Sequence, residues 1–337
     1  MRFLIVSRVS IPAKDRTLPC WEYLRSLGHT VVVEHPDSVP TSERPDVIIS
    51  MGVTIQDETF QALERWPETP LFCYAWDYYA WLWEPGQEGK VQKYNPIRGQ
   101  EYDYCKYGHM LARAREIWVP SHCTGRRTTQ WYGRTNWSVI LSACPWWDYE
   151  GQCEHCAGFG RLADSSGMRR MTCGVCKGAG QRKVRDDGYA LCCLREIPDP
   201  WWGKFEAACE ELGIPYRMPK HEKSYEEYQD LVAGCRFLCA PLYELSTGGL
   251  SLMEGYRLGK PVLISDSEWN GGRDYFGKRA DYFTHGDMDD FKEELGHLFA
   301  MRPLSPALVE EQRVWIERNY SDRRMVDDML RRIEATR

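Results

Sequence analysis

The sequence predicts an α/β protein of two halves, each a parallel sheet covered by helices on both faces, with one cleft between them. Three observations carry this. Short apolar runs alternate with helical patterns in two successive series, as parallel strands joined by crossover helices require. A length of 337 residues suits two domains of ordinary size with sizeable cores. The stretch 242–266 joins a glycine pair, an amphipathic helix and a buried strand in one unit, the local design of a ligand-binding turn at the carboxyl end of a strand.

The first series has candidate strands at 2–7, 30–34, 46–50, 70–75, 116–119 and 137–141, with helices at 21–27 and 60–66. Phe3-Leu4-Ile5-Val6 and Leu71-Phe72-Cys73-Tyr74 are apolar without alternation, as strands buried on both faces are. The opening run is read as a first strand, being too short for a signal peptide. A second series begins near Tyr189, with strands at 189–193, 214–217, 236–240 and 262–265. No internal repeat and no low-complexity tract interrupts the two series.

Within 242–266, Gly248 and Gly249 stand where a loop enters the helix that carries Leu250, Leu252, Met253, Tyr256 and Leu258. Glycine lets backbone approach a ligand closely, and a helix start offers unpaired N–H groups and about half a positive charge to an anion. Glu254 lies one turn further in, where a carboxylate accepts hydrogen bonds from sugar hydroxyls. Gly259 closes the helix, and Lys260 and Pro261 lead into the buried run Val262-Leu263-Ile264. An ordinary helix-to-strand connection would carry the same glycines, so the turn alone leaves both readings open.

No apolar run approaches the roughly 20 residues that span a bilayer, and a cytoplasmic location is expected. Most of the fourteen cysteines stand singly in apolar strands, the pattern of reduced core thiols rather than disulfides. Four do not. Cys153-Glu154-His155-Cys156-Ala157-Gly158-Phe159-Gly160 and Cys173-Gly174-Val175-Cys176-Lys177-Gly178-Ala179-Gly180 form two CxxC pairs sixteen residues apart. Each pair turns two thiolates toward a common centre, so one structural zinc on Cys153, Cys156, Cys173 and Cys176 is expected. Four thiolates leave no open position for catalysis, and His155 lies inside the first pair.

The same region differs in charge. Residues 151–185 hold seven basic side chains, Arg161, Arg169, Arg170, Lys177, Arg182, Lys183 and Arg185, against two acidic ones, a net of +5. The whole chain is at −6, so the remainder carries −11. A polyanion such as duplex DNA would be held by its phosphates on such a segment; a solvated basic face is the plainer reading. Trp76, Tyr78, Tyr79, Trp81 and Trp83 suit stacking on either a base or a sugar.

Ala240-Pro241-Leu242-Tyr243-Glu244 followed by Gly249-Leu250-Ser251-Leu252-Met253-Glu254 resembles the nucleotide-sugar site of GT-B glycosyltransferases of the retaining family-four type. Arg115-Glu116-Ile117-Trp118-Val119-Pro120-Ser121 with Arg126, Arg127 and Tyr132-Gly133 is similar to that family's last strand and helix of the first domain. Arg279-Ala280-Asp281-Tyr282-Phe283, Gly286-Asp287 and Asn319-Tyr320-Ser321 look like its later elements. The family has seven residues between its two acids, whereas nine lie between Glu244 and Glu254, and strict spacing lands on Ser246. The likeness covers about three quarters of the chain and omits residues 150–187. That segment resembles instead the CxxCxGxG zinc module of DnaJ-type chaperones.

The resemblance implies a division into residues 1–148, an acceptor domain; 149–187, a zinc-knuckle insertion; 188–318, a nucleotide-sugar domain; and 319–337, a helix returning to the first domain. It implies a nucleoside-diphosphate sugar as co-substrate, held by Glu244, Ser246, Thr247, Gly248, Gly249, Leu250 and Glu254. Arg195 and Lys204 would stabilise the leaving diphosphate, with no metal at the reacting centre. Asp77 ends an apolar strand and would orient or deprotonate the acceptor hydroxyl; His109 and His122 are weaker candidates. Arg273 or Asp274, in the turn Asn270-Gly271-Gly272-Arg273-Asp274, would touch the sugar or acceptor. Three functions remain open: transfer to a hydroxymethylated base in DNA, as viruses use to mask their genomes; transfer to a glycan, lipid or small metabolite; or non-catalytic nucleic-acid binding on a degenerate scaffold.

Overall fold

The computed structural model describes residues 1–7, 18–34, 42–52, 55–75, 91–94, 100–144, 151–152, 161–163, 170–172, 181–182, 184–192, 201–218, 225–241 and 249–336. For residues 18, 91–94, 100–105, 151–152, 161–163, 170–172, 181–182, 201–202, 225–226 and 250 it describes the backbone alone. The first half comprises β1 (Arg2–Ser7), α1 (Leu18–Ser26), β2 (Thr30–Glu34), β3 (Val47–Met51), α2 (Gln56–Arg65), β4 (Leu71–Tyr74), β5 (Val91–Tyr94), β6 (Gln100–Asp103), α3 (Tyr104–Arg113), β7 (Glu116–Val119), α4 (His122–Tyr132) and β8 (Trp137–Val139). Four short strands follow: β9 (Gly151–Gln152), β10 (Arg161–Ala163), β11 (Arg170–Thr172) and β12 (Gln181–Arg182). The second half runs β13 (Ala190–Cys192), α5 (Trp201–Glu211), β14 (Tyr216–Arg217), α6 (Tyr225–Gly234), β15 (Phe237–Ala240), α7 (Leu250–Arg257), β16 (Val262–Asp266), α8 (Gly272–Phe276) and β17 (Asp281–Thr284). It ends with α9 (Met288–Ala300), α10 (Pro306–Asn319) and α11 (Asp322–Ala335).

Two parallel sheets result, in the orders β2-β1-β3-β4-β7-β8 and β14-β13-β15-β16-β17. The inner strands β1, β3, β4, β7, β13, β15 and β16 are buried on both faces, which explains their unbroken apolar runs. In β15, Leu238 and Ala240 join the core under α6, α7 and α8, while Phe237 and Cys239 join the core under α5 and α9. That is the two-residue period of a strand serving two layers. Helices begin earlier than apolar periodicity indicates: α2 starts at Gln56, because its polar first turn, Gln56-Asp57-Glu58-Thr59, complements the helix dipole without adding an apolar stripe. Helix ends follow capping chemistry, with Ser121, Ser305 and Ser321 each accepting from a backbone N–H three residues on.

The chain crosses between halves twice, and tyrosines clamp the crossing. Residues 140–144 leave β8; Tyr74 donates to the carbonyl of Ile140 at 2.7 Å, and the N–H of Ser142 donates to the Tyr275 hydroxyl at 3.0 Å. Cys144 N–H donates to the carbonyl of Tyr320 at 2.7 Å, where the chain turns from α10 into α11. Helix α11 then buries Met325, Val326, Met329 and Ile333 in the core of the first half. Glu116, 4% exposed, ties this helix to β7: it accepts from Trp118 Nε1 at 3.1 Å, Ser138 Oγ at 2.6 Å and Arg332 Nε at 2.9 Å.

Helix α7 lies tight on its sheet. A methyl group at Gly255 would stand 2.3 Å from Leu238 Cδ1, and Leu238 is fully buried. Gly255→Ala is therefore expected to cost about 1–3 kcal/mol through overpacking, read as a lowered midpoint in denaturant titration with an unchanged slope. An unaltered midpoint would show that α7 can shift outward freely.

The eight cysteines whose side chains are described are all buried. Burial pushes the thiols of Cys209 and Cys235 up to about 12, which keeps them protonated and unreactive. Among the described residues no helix is long and apolar enough to cross a membrane.

Candidate functional site

The strand order of the second sheet decides where a ligand belongs. With β13 central and β14 and β15 on opposite sides of it, the connections leaving β13 and β15 depart in opposite directions. A crevice therefore opens outside their carboxyl ends. The first turn of α5 follows β13 and the first turn of α7 follows β15, so both helix starts stand at this switch point.

Gly249 caps α7 with φ 80° and ψ 98°, a conformation that disfavours any residue with a Cβ. Its carbonyl accepts from the N–H groups of Leu252 at 2.9 Å and Met253 at 3.1 Å, and no side chain caps this end. The start of α7 thus has the geometry of an anion cradle. Glu254 is one turn in, 2% exposed, and accepts a hydrogen bond from the Tyr228 hydroxyl at 3.0 Å. Lys204 lies on the first turn of α5 and is half-buried. Of the other donor candidates, Leu250 is described by its backbone alone, and Glu244, Ser246, Thr247, Gly248 and Arg195 lie outside the described residues. So do Asp77, which follows β4 by two residues from Ala75, and the aromatic residues Trp76, Tyr78, Tyr79, Trp81 and Trp83.

Lys260, in the same motif, is not a phosphate ligand. It is 5% exposed, and its ammonium donates to the carbonyls of Arg185 at 2.5 Å and Cys235 at 2.7 Å. Burial lowers its pKa.

The first half reaches this edge through α4, which starts at the carboxyl end of β7. Asp274 of α8 accepts from the backbone N–H of His122 at 2.8 Å and pairs with its Nδ1 at 2.8 Å. An acid from one half thereby caps a helix of the other. Arg126 donates to the carbonyl of Glu268, and the buried Arg127 guanidinium sits 4.3 Å from the ring of Trp269 and 4.7 Å from that of Trp131. Arg273 forms a two-point pair with Asp266, at 2.7 and 2.5 Å, which holds the Asp266 carboxyl below its ordinary range. His122, Arg273 and Asp274 are thus all engaged with protein groups, and two of them, His122 and Asp274, join the halves. His109 is exposed on α3.

Trp269→Ala is expected to leave each half folded but to widen the spread of distances between them, since it removes a cation–π contact that bridges the halves. Small-angle scattering or paired fluorescent labels on α4 and α8 would measure this. A distance distribution identical to that of the unmodified protein would contradict it.

In the insertion, β9 pairs with β12 and β10 pairs with β11, both antiparallel. Cys153, Cys156, Cys173 and Cys176 lie outside the described residues, and among the described residues no cluster of His, Cys, Asp or Glu could hold a metal. Arg161, Arg170 and Arg182 are on β10, β11 and β12, whereas Arg169, Lys177 and Lys183 lie outside the described residues. The Arg185 guanidinium pairs with Asp230 at 2.8 Å through two nitrogens and with Asp187 at 2.9 Å.

Sequence reasoning missed Tyr228, Trp269 and the Asp274 cap. Tyr228 occupies an ordinary helical core position, and nothing in its local pattern signals a carboxylate 26 residues away.

Two parallel-sheet halves with a glycine-capped helix at the switch point of the second constitute the GT-B architecture, the fold of many nucleotide-sugar glycosyltransferases. A glycosyltransferase from Rickettsia africae shares it, with a TM-score of 0.61 and 11% identity over 99% of this chain and 98% of the other. Sucrose-phosphate synthase from Thermosynechococcus elongatus matches with a TM-score of 0.59 and 12% identity over the whole of both chains. HepE of Anabaena, in complex with UDP and glucose, matches with a TM-score of 0.55 and 11% identity over 99% and 100%. Neither a comparison with protein-family models nor one with curated sequences finds a match.

Proposed function

We propose that the protein is a glycosyltransferase that moves a sugar from a nucleoside-diphosphate donor to an acceptor hydroxyl with retention of configuration. The observation that carries this is the glycine-capped start of α7 at the switch point of the second sheet, with the Glu254 carboxylate one turn in. The α7 N–H groups suit the diphosphate, and Glu254 suits donor hydroxyls. Departure of the diphosphate is the costly event, so Lys204 and Arg195 supply positive charge to the leaving oxygens. Asp77, beyond the carboxyl end of β4, orients or deprotonates the acceptor hydroxyl. Glu244, Ser246, Thr247, Gly248 and Leu250 complete the donor turn. HepE, which has this fold, has been captured with UDP, with UDP and glucose, and with UDP-glucose, which supports a uridine donor as the first to try.

The acceptor we infer is a hydroxymethylated base in duplex DNA, on the strength of the basic insertion. Residues 151–185 carry seven basic residues against two acidic ones. The same insertion holds one structural zinc through Cys153, Cys156, Cys173 and Cys176. Four thiolates in two CxxC pairs are the donor set zinc prefers. The strand pairing supports this, because 153–160 and 173–180 both run between the same two ladders, β9/β12 and β10/β11. The metal would staple a segment too small for its own core.

One experiment tests transfer and acceptor together: labelled UDP-sugars incubated with hydroxymethylated duplex, plain duplex and simple sugars. Label on the hydroxymethylated duplex alone is the expected result. Label confined to the simple sugars would refute the DNA acceptor, and no turnover with any nucleotide sugar, combined with tight duplex binding, would leave only a binding role. Elemental analysis of the purified chain is expected to find one zinc, lost in Cys153→Ser.

A further inference from the structure

We infer that Tyr228 is a positioning residue for the donor site, holding the Glu254 carboxylate correctly turned for a hydroxyl of the nucleotide sugar; this rests on the donor-site reading above. A carboxylate accepts hydrogen bonds and donates none. Glu254 is 2% exposed, and the Tyr228 hydroxyl, 3.0 Å from Oε2, donates to it without adding a competing positive charge beside the diphosphate.

The geometry also fixes direction. Tyr228 comes from α6, a different helix from the one that carries Glu254, and is itself 3% exposed in the core with Leu252, Met253 and Tyr256. Its ring is immobilised by packing, so its hydroxyl is a fixed point to which the flexible glutamate is tied. Ordering a long side chain in this way before the ligand arrives removes an entropic cost from binding. The pair is within the second half, and so acts on donor binding independently of how the halves close.

The test separates a positioning role from a purely structural one by using two probes. UDP reaches both the α7 start and Glu254, whereas inorganic pyrophosphate reaches the α7 start alone. Tyr228→Phe keeps the ring and removes the hydroxyl. It is expected to weaken UDP binding about 5- to 20-fold, a part of the roughly 10- to 100-fold that one hydrogen bond to a charged group is worth, while pyrophosphate affinity stays within twofold. Glu254→Gln should produce the same split, and the double variant should lose no more than Glu254→Gln alone. Equal losses for both probes would show that α7 has shifted and would overturn the inference, as would a Tyr228→Phe protein that binds UDP normally. If Tyr228→Phe does not fold, Tyr228→Leu, which also lacks the hydroxyl, decides: equal losses for the two probes overturn the inference, and loss of UDP alone upholds it. An unmodified protein that binds neither UDP, ADP nor GDP overturns the donor-site reading, and this inference with it.

Discussion

Glu254→Ala is expected to raise the donor KM at least tenfold or to abolish transfer, while the chain still folds. The substitution removes the one described carboxylate within a turn of the α7 start, and a buried charge–hydroxyl contact is worth roughly 1.5–3 kcal/mol, or about 10- to 100-fold in affinity. It also removes the hydrogen bond from the buried Tyr228 hydroxyl, a contact whose net worth to stability is about 1.5–3 kcal/mol. In a protein of this size that lowers the melting temperature by several degrees without unfolding the protein at 25 °C. Donor kinetics alongside a thermal melt would check both halves of the expectation. Unchanged kinetics with a normal melt would show that the carboxylate has no part in donor binding.

Deleting α11, by ending the chain at Tyr320, is expected to prevent folding of the first half. Met325, Val326, Met329 and Ile333 are each 2% exposed or less and belong to the core beneath β1 and α1. Burying a side chain of this kind contributes about 1.5–3 kcal/mol, so the four together supply about 6–12 kcal/mol, as an upper estimate. That is comparable with the whole net stability of a typical domain, about 5–15 kcal/mol. Deletion also strips Arg332 from the buried Glu116, leaving that carboxylate with two neutral donors. Soluble yield and thermal unfolding would measure the effect; a truncated chain that melts cooperatively within a few degrees of the full one would contradict it. The defect should appear in the first half, although the deleted residues follow the second half in sequence.

Several features were legible from the residues because their causes are local. Phe3-Leu4-Ile5-Val6 reads as a buried parallel strand because every side chain in it is apolar, and β1 spans Arg2–Ser7. Gly249 reads as a helix entrance because only glycine sits easily at φ 80°, and Gly259 as a helix end for the same reason, at φ 79°. Strand limits at β8 were less clear: the apolar pattern extends to Leu141, but β8 stops at Val139 because residues 140–144 turn toward Tyr275 and Tyr320 in the other half. The partners of the turn at 270–274 were likewise not local: Asp274 is engaged by His122 and Arg273 by Asp266.

By itself, then, the sequence determined that the chain forms two parallel sheets wrapped in helices and that α7 begins at a glycine. Alternation, apolar runs and positive-φ positions are properties of a few consecutive residues. Only the tertiary structure decided which side chains meet: Tyr228 with Glu254 across 26 residues, His122 with Asp274 across 152, and Arg332 with Glu116 across 216. Those partnerships depend on strand order and on where the chain crosses between halves, and both are outcomes of packing two whole cores that no short window of sequence contains.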